Sequence, residues 1–345
     1  MRKREPEMKR LQHFYILFVL LLPFVLNCRL LTGQVTIDAP SPTDAATTAA
    51  ISSIHWEVLE HDGVVRDFGF YASSGISSHP ALVFLLHGGG GSASKAWKQE
   101  QGQDWKELAD QDGFLLIFPQ GMPGSDKQSG YHWNDCREAI TAPQLPSTAD
   151  DVGLILNLID WAGEKFEIDR QRVYVTGASN GGLMTYRLAM EAPEYFAAAA
   201  AVIANLPLGD ECLESGIPIP MLIMNGTADP LMPFEGGCVA GDKCLRGRVL
   251  STKKTLEFWL VLNQVDVVPQ VEQLADIIPE DGSTVTLYSY LGDSKSKPVL
   301  YYRVDGGGHD VPGDQQNGAL IRSIVGLKNQ DINGPKEIWR FFKMH

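Results

Sequence analysis

Residues 177–181, Gly-Ala-Ser-Asn-Gly, carry the pattern G-x-S-x-G at the end of the strand-like run RVYVTG. This pattern is typical of a sharp strand-to-helix turn that presents a nucleophilic serine, here Ser179. The letters Thr-Gly-Ala-Ser could also belong to the phosphate-binding turn of a dinucleotide site. That alternative needs a third glycine, but Leu183 occupies the position. It also needs a tyrosine followed four residues later by lysine, and none of the ten tyrosines is followed by lysine at that spacing. The pattern therefore favours acyl transfer by Ser179.

A serine hydroxyl reacts only when a base removes its proton and an acid orients that base. In proteins with this turn the partners follow in the order Ser, Asp or Glu, His. Only His309 and His345 follow Ser179, and His345 is the last residue. His309 lies in DGGGHDVPG, just after the strand-like run PVLYYRV. His309 is therefore the predicted base.

The predicted acid is Asp229, which lies in NGTADPLMP at the end of the apolar run IPMLIMNG. Like His309 it follows a strand, and so it would reach the same edge of a sheet. Three other carboxylates are alternatives: Asp210, Asp305 and Asp310. Asp310 adjoins His309, and neighbouring loop side chains rarely point at each other well enough for this hydrogen bond.

Backbone N–H groups must stabilise the oxyanion of the tetrahedral intermediate. One is predicted from Asn180, the residue after the nucleophile. The other is predicted from the run HGGGG, residues 87–91, because glycines let the backbone approach the oxyanion. Gly89 is favoured, with Gly90 next. His87 precedes Ser179 in the chain and is expected to brace this loop.

Strand-like and helix-like stretches alternate along most of the chain and position these residues. ALVFLL, GFLLIFP, RVYVTG and IPMLIMNG read as strands buried on both faces, and DDVGLILNLIDWAGEKF reads as a helix capped by Asp150 or Asp151. His61-Asp62-Gly63 predicts a hairpin turn. The alternation predicts a mostly parallel central sheet with helices on both faces.

The composition of the chain limits the kinds of partner and ligand that it is expected to bind. The formal net charge of −13 argues against nucleic-acid binding, which needs clustered cations. No C-x-x-C or H-E-x-x-H pattern occurs, so no metal is expected, and no cofactor is expected either. Four cysteines follow Cys28, and they allow three pairings. Cys238 and Cys244 enclose a short loop that they could bridge, which would leave Cys136 with Cys212.

The N-terminus predicts export. Basic residues precede the apolar run FYILFVLLLPFVL, which is short for a membrane span, so residues 1–28 are expected to be a signal peptide. VLNC also loosely resembles a lipoprotein signal, and Cys28 is then the alternative site of a lipid anchor. Residues 29–51 are expected to be a flexible linker and residues 52–345 the catalytic domain. The expected location is secreted or periplasmic, or lipid-anchored at the cell envelope.

Several stretches resemble secreted α/β-hydrolases of the polyhydroxybutyrate depolymerase-like and feruloyl esterase-like group, which includes carbohydrate esterase family one. They are LLHGGGGSA, YHWNDCR, DDVGLILNLI, RVYVTGASNGG, NGTADPLMPF, GGGHDVPG and EIWRFF. The resemblance implies an α/β-hydrolase fold, Ser179 as nucleophile, Asp229 as acid and His309 as base. It also suggests that Trp133 lines the acyl site. One departure is Asp310-Val311, where the family commonly has Thr-Trp.

The resulting hypothesis is a serine carboxylic-ester hydrolase acting on polymer-linked or small esters of hydroxybutyrate, ferulate or acetate, as in polysaccharide degradation. A peptidase on the same scaffold and a non-catalytic polymer-binding protein are the alternatives. The complete Ser-Asp-His order argues against the binding protein.

Overall fold

A continuous apolar run such as Leu82–Leu86 is stable in a sheet only when both faces of the sheet are covered. The computed structural model describes residues 53–124, 130–137, 149–209, 212–266 and 268–345, and in it every side chain of this run is buried. Leu82 and Phe84 belong to one core layer, whereas Val83 and Leu85 belong to the layer on the opposite face. The sheet is therefore the middle of three layers.

The strands and helices are as follows. The strands are β1 (His55–His61), β2 (Val64–Ala72), β3 (Leu82–Leu86), β4 (Leu115–Pro119), β5 (Met122–Pro123), β6 (Tyr131–His132), β7 (Val173–Ala178), β8 (Ala198–Val202), β9 (Met221–Gly226), β10 (Gly237–Cys238), β11 (Arg248–Val249), β12 (Gln270–Gln273), β13 (Thr284–Tyr290) and β14 (Val299–Asp305). The helices are α1 (Ala93–Lys98), α2 (Glu100–Asp112), α3 (Asp151–Phe166), α4 (Asn180–Glu191), α5 (Thr252–Leu262), α6 (Ala319–Val325) and α7 (Gly334–Phe342), with short 3₁₀ turns at Pro193–Tyr195 and Pro279–Asp281.

In the described chain, ten of these strands form one sheet in the order β1-β2-β4-β3-β7-β8-β9-β14-β13-β12. The middle strands, from β4 to β14, run parallel to one another. Antiparallel strands complete both edges. The predicted mostly parallel sheet is confirmed, and it is an α/β-hydrolase sheet.

Helices cover both faces, as the alternation predicts. On one face α3, α4 and α5 contribute Leu158, Leu188 and Trp259 to the core. On the other face α2 and α7 contribute Trp105 and Trp339. Burial of each large apolar side chain stabilises the fold by about 1.5–3 kcal/mol. The two layers therefore hold the strand ends in fixed positions.

The structure confirms the hairpin turn and the helix cap that the sequence predicts. Asp62 and Gly63 join β1 to β2 with φ of 50° and 72°, as a tight hairpin turn requires. The Asp150 side chain caps α3 by accepting the Gly153 N–H. The stretch before Gly113 forms two helices, α1 and α2, which meet at Gln99, whose ψ of 162° is extended.

Two disulfides crosslink the chain, Cys136–Cys212 and Cys238–Cys244. The pairing suggested by the short loop is therefore confirmed. Such crosslinks persist in oxidising compartments and indicate an extracellular protein. Both sulfurs of the Cys136, Glu191 and Cys212 group are bonded to each other and are not available to a metal.

The predicted signal peptide (1–28, with Cys28) and linker (29–51) lie outside the described residues. The described residues fall within one compact unit, Thr48–His345. Within them, no helix has both the length and the apolar character that a membrane crossing needs.

Candidate active site

Ser179 occupies a strained turn between β7 and α4. Its φ of 58° and ψ of −122° lie where residues other than glycine are seldom found, and such a conformation costs about 1–3 kcal/mol. Its N–H donates to the Val202 carbonyl at 3.0 Å, which ties the turn to the neighbouring strand. This geometry lifts the serine side chain clear of both elements, as the G-x-S-x-G pattern predicts.

The two glycines of the pattern are required by close backbone contacts. A Cβ on Gly177 would lie 2.4 Å from the Gly181 carbonyl oxygen. A Cβ on Gly181 would lie 2.2 Å from the Leu86 carbonyl oxygen. Both distances are below any real carbon–oxygen contact, so α4 can approach β7 and β3 this closely only with glycine at both positions.

His309 is held by Asp229. Its Nδ1 lies 2.7 Å from Asp229 Oδ2, and the side chains are 10% and 2% exposed. The other oxygen, Oδ1, accepts the N–H groups of Leu231 and Met232 at 2.8 and 2.7 Å. The turn after β9 thus fixes one carboxylate oxygen and leaves the second for the imidazole.

Two of the three competing carboxylates have other partners. Asp305 forms an ion pair with Arg303 at 2.8 Å. Asp310 accepts a hydrogen bond from the Asn317 amide. Asp210 lies outside the described residues. The structure therefore brings Asp229, of these alternatives, to His309.

Ser179 and His309 line the same cavity of about 500 Å³, together with the glycines of the HGGGG run. Within the described chain no hydrogen bond joins Ser179 Oγ to the His309 ring. Such contacts are often long in a free enzyme and tighten when substrate binds. Leu231, Val239 and Val325 add apolar walls, and the size suits a small organic ester group.

Gly89 is better placed than Gly90 as an N–H donor to the cavity. The Gly90 N–H already donates to the Tyr131 carbonyl at 2.9 Å, and the Gly91 N–H donates to the Gly88 carbonyl at 3.0 Å. A Cβ on Gly89 would lie 3.3 Å from Asn180 Cβ, so the two predicted donor residues are neighbours. Asn180 begins α4, where the first N–H groups have no acceptor within the helix.

His87 braces the glycine loop, as expected. Its Nε2 accepts the Gly121 N–H at 3.0 Å, so Nδ1 carries the proton and donates to the Gly88 carbonyl at 2.8 Å. Burial lowers the pKa of His87 to about 4. The ring is therefore neutral at physiological pH, and hydrogen bonds hold both of its nitrogens. His87 is for this reason not available as the general base.

Trp133 does not reach the cavity, contrary to the expectation that it lines the acyl site. It is 1% exposed and is not among the residues that border the cavity. Its indole Nε1 donates to the His87 carbonyl at 2.8 Å, and its ring centroid lies 4.9 Å from that of His87. Trp133 therefore supports the glycine loop from behind.

The Asn180 side chain belongs to a buried network that sequence reasoning missed. Its Oδ1 accepts the Trp133 N–H at 2.8 Å, and its Nδ2 donates to Asp135 Oδ2 at 2.6 Å. Asp135 is in turn paired with Arg137, and both side chains are less than 5% exposed. The stretch WNDCR, recognised only as a family-like motif, therefore fixes the residue next to Ser179.

The chain resembles known proteins in both sequence and structure. The sequence pattern of the prolyl oligopeptidase family matches residues 147–208, which contain the Ser179 turn. A Nocardia uniformis subsp. tsuyamanensis protein named as an esterase, NocK, is 28% identical over 81% of this chain and 80% of its own length. Feruloyl esterase B of Talaromyces stipitatus is 31% identical over 53% of this chain, which spans only 42% of that relative.

An acetyl xylan esterase structure from Aspergillus awamori matches 84% of this chain and 100% of its own, with a TM-score of 0.52 and 16% identity. That likeness establishes the fold. The sequence relatives confirm the resemblance to feruloyl esterase-like proteins. This chain is therefore a carboxylic ester hydrolase with the α/β-hydrolase fold.

Proposed function

We propose that Ser179 is the nucleophile of this hydrolase, with His309 as general base and Asp229 as the acid that orients it. The observation that carries the proposal is the 2.7 Å bond between His309 Nδ1 and Asp229 Oδ2 beside the cavity that Ser179 shares. The bond leaves Nε2 as the imidazole nitrogen available to a serine proton.

The reaction then follows from these positions. Ser179 Oγ attacks the ester carbonyl while His309 Nε2 takes the hydroxyl proton. The N–H groups of Gly89 and Asn180 stabilise the oxyanion, and the positive end of α4 adds to this field. The carbonyl re-forms as the C–O bond to the alcohol breaks, and His309 returns the proton to the leaving alkoxide. Water, activated by His309, attacks the acyl-enzyme and releases the acid.

The proposed substrates are small or polymer-linked esters of hydroxybutyrate, ferulate or acetate. Sequence relatives named as a feruloyl esterase and as an acetylxylan esterase support the last two classes. Asp310 and Val311, the departure from the family pattern, both border the cavity and would help to select the acyl group. Assays against a feruloylated arabinoxylan fragment, acetylated xylan and a hydroxybutyrate oligomer rank these substrates.

The test of the proposed nucleophile is hydrolysis of 4-nitrophenyl acetate by the wild type and by Ser179→Ala. We expect the variant to lose about three orders of magnitude or more in kcat. A variant within a few-fold of wild type would remove Ser179 from the mechanism.

A peptidase is the second candidate, because the prolyl oligopeptidase pattern matches the stretch that contains Ser179. An ester and an amide with the same acyl group separate the two activities. A peptidase would cleave the matched peptide nitroanilide, whereas the proposed esterase would cleave only the nitrophenyl ester at a measurable rate.

The proposed location is secreted or periplasmic, with residues 1–28 removed as a signal peptide. Lipid attachment at Cys28 is the alternative to release of the cleaved protein. The intact mass of the exported protein distinguishes them, because the lipidated form retains Cys28 with its diacylglyceryl group, whereas removal of residues 1–28 takes Cys28 away.

A further inference from the structure

Two cationic side chains border the cavity beside Ser179, although the whole chain has a formal net charge of −13. Lys95 and Arg246 both border the cavity and are both exposed. Among the described residues that border the cavity, Asp310 is the one carboxylate, and it accepts a hydrogen bond from the Asn317 amide. Burial also raises the pKa of Asp310.

Neither cation is neutralised by an acidic side chain within the described residues. Other surface cations are paired, for example Lys106 with Asp110, Arg170 with Asp160, and Lys254 with Glu257. Lysine and arginine are both charged at neutral pH. The described lining of the cavity therefore carries two exposed cations on an acidic molecule, and these can attract an anionic group.

The Arg246 backbone is connected to the nucleophile turn. The Arg246 carbonyl accepts a 2.7 Å hydrogen bond from Arg137 Nη1. Arg137 is paired with Asp135, which binds the Asn180 side chain. This series of contacts connects the Arg246 backbone to the residue that follows Ser179.

The loop that carries Arg246 is also held at its other side. It joins β10 to β11, and the Cys238–Cys244 disulfide closes it just before Arg246. The Val239 N–H donates to the Gly247 carbonyl, and the Gly247 N–H to the Cys244 carbonyl, both at 3.0 Å. Such preorganisation reduces the entropy lost when the loop binds a ligand.

We propose that Arg246 and Lys95 recognise a carboxylate carried by the ester substrate, so that the preferred substrates are acidic esters. The inference rests on the proposed function of the Ser179 site. Arginine offers a planar fork that matches a carboxylate, and lysine adds a second charge without a fixed geometry. The shared chemistry is an anionic substituent, on either the acyl part or the alcohol part.

Two matched substrate pairs test this inference. Mono(4-nitrophenyl) glutarate and 4-nitrophenyl valerate have acyl chains of equal length and differ in the terminal carboxylate. The anion of 4-acetoxybenzoic acid and its methyl ester place the difference on the alcohol. For each pair the measured quantity is the ratio of kcat/KM for the acidic ester to that for the neutral ester.

The ratio is compared in the wild type, in Arg246→Gln and in Lys95→Gln. We expect each substitution to lower it roughly two- to fivefold, as for an exposed ion pair, with a larger loss in the double variant. Lys243→Gln and Lys98→Gln are the controls, because both are exposed lysines near these positions that do not border the cavity. Their ratios should match the wild type, and added salt should reduce the wild-type ratio.

If the substitutions lower the kcat/KM ratio for only one of the two substrate pairs, the result supports the inference. It also assigns the recognised carboxylate to the acyl or the alcohol side of the ester. Unchanged ratios in both pairs, with normal hydrolysis of the neutral esters, would overturn the inference and leave the proposed function intact. Absence of hydrolysis of every ester by the wild type would overturn the proposed function, and the inference with it.

Discussion

Asp229 and His309 are 80 residues apart in the chain and form a 2.7 Å hydrogen bond behind the cavity. Two backbone N–H groups fix the other carboxylate oxygen, so the acceptor points at the imidazole before any substrate arrives. This arrangement fixes both the tautomer and the orientation of His309.

Asp229→Asn should therefore lower kcat for 4-nitrophenyl acetate by about 10³–10⁴, because an amide can favour the wrong imidazole tautomer. The fold should survive, since the amide oxygen can still accept from the Leu231 and Met232 N–H groups. Asp305→Asn is the matched control, because Asp305 also follows a strand but pairs with Arg303. An Asp229→Asn enzyme within tenfold of wild type, with an unchanged control, would remove Asp229 from the mechanism.

Gly181→Ala should destabilise the protein by about 3 kcal/mol or more, because the new methyl group would lie 2.2 Å from the Leu86 carbonyl oxygen. Urea unfolding measures the free energy of unfolding. Gly75→Ala is the control, since no atom lies within 4 Å of the added Cβ. Equal stabilities of the two variants would contradict the close packing of α4 on β3.

Trp133→Phe separates a supporting role from a substrate contact. Loss of the indole N–H leaves the buried His87 carbonyl without that donor, which should cost about 1–3 kcal/mol of stability. We expect kcat to fall by a similar factor for acetate, butyrate and hexanoate nitrophenyl esters, with little change in KM. A KM increase that grows with acyl length would instead restore Trp133 to the acyl site.

The buried His87 predicts a pH dependence of stability. Its pKa is lowered to about 4, so the folded state binds fewer protons than the unfolded state between pH 6.5 and 4. Its contribution is fully present above about pH 6.5 and is lost as pH falls towards 4, to a total of about 3 kcal/mol.

The measurement is the free energy of unfolding at pH 6.5 and at pH 4.5, for wild type and His87→Gln. Glutamine has no titrating group, so the variant should lose less stability over this interval than the wild type loses. An identical pH dependence in both proteins would show that burial of the neutral His87 does not contribute.

The parts of the site that follow local rules could be predicted from the sequence. The G-x-S-x-G turn, the position of His309 and Asp229 after strands, and the glycine loop each depend on a short stretch and on the order of elements. Ser179, His309 and the glycine loop border one cavity, and the Gly90 N–H is engaged by the Tyr131 carbonyl, a contact that no local pattern indicates.

Contacts across the chain could not be predicted in the same way. Asn180 meets Trp133 and Asp135 from 47 and 45 residues away, through loops that have no periodic pattern. An aromatic residue in a family-like motif looks the same in sequence whether it faces a substrate or the core, so the burial of Trp133 was missed. The break at Gln99 also depends on packing, because α1 and α2 differ little from one continuous helix in composition.

The most direct test of the account is covalent labelling of Ser179 by a fluorophosphonate, followed by peptide mapping. We predict one adduct per chain on the peptide that contains Ser179, no adduct in Ser179→Ala, and greatly slowed labelling in an enzyme lacking the His309 imidazole. Absence of labelling in the folded wild type, or an adduct on another serine that persists in Ser179→Ala, would contradict the assignment of Ser179 as the nucleophile.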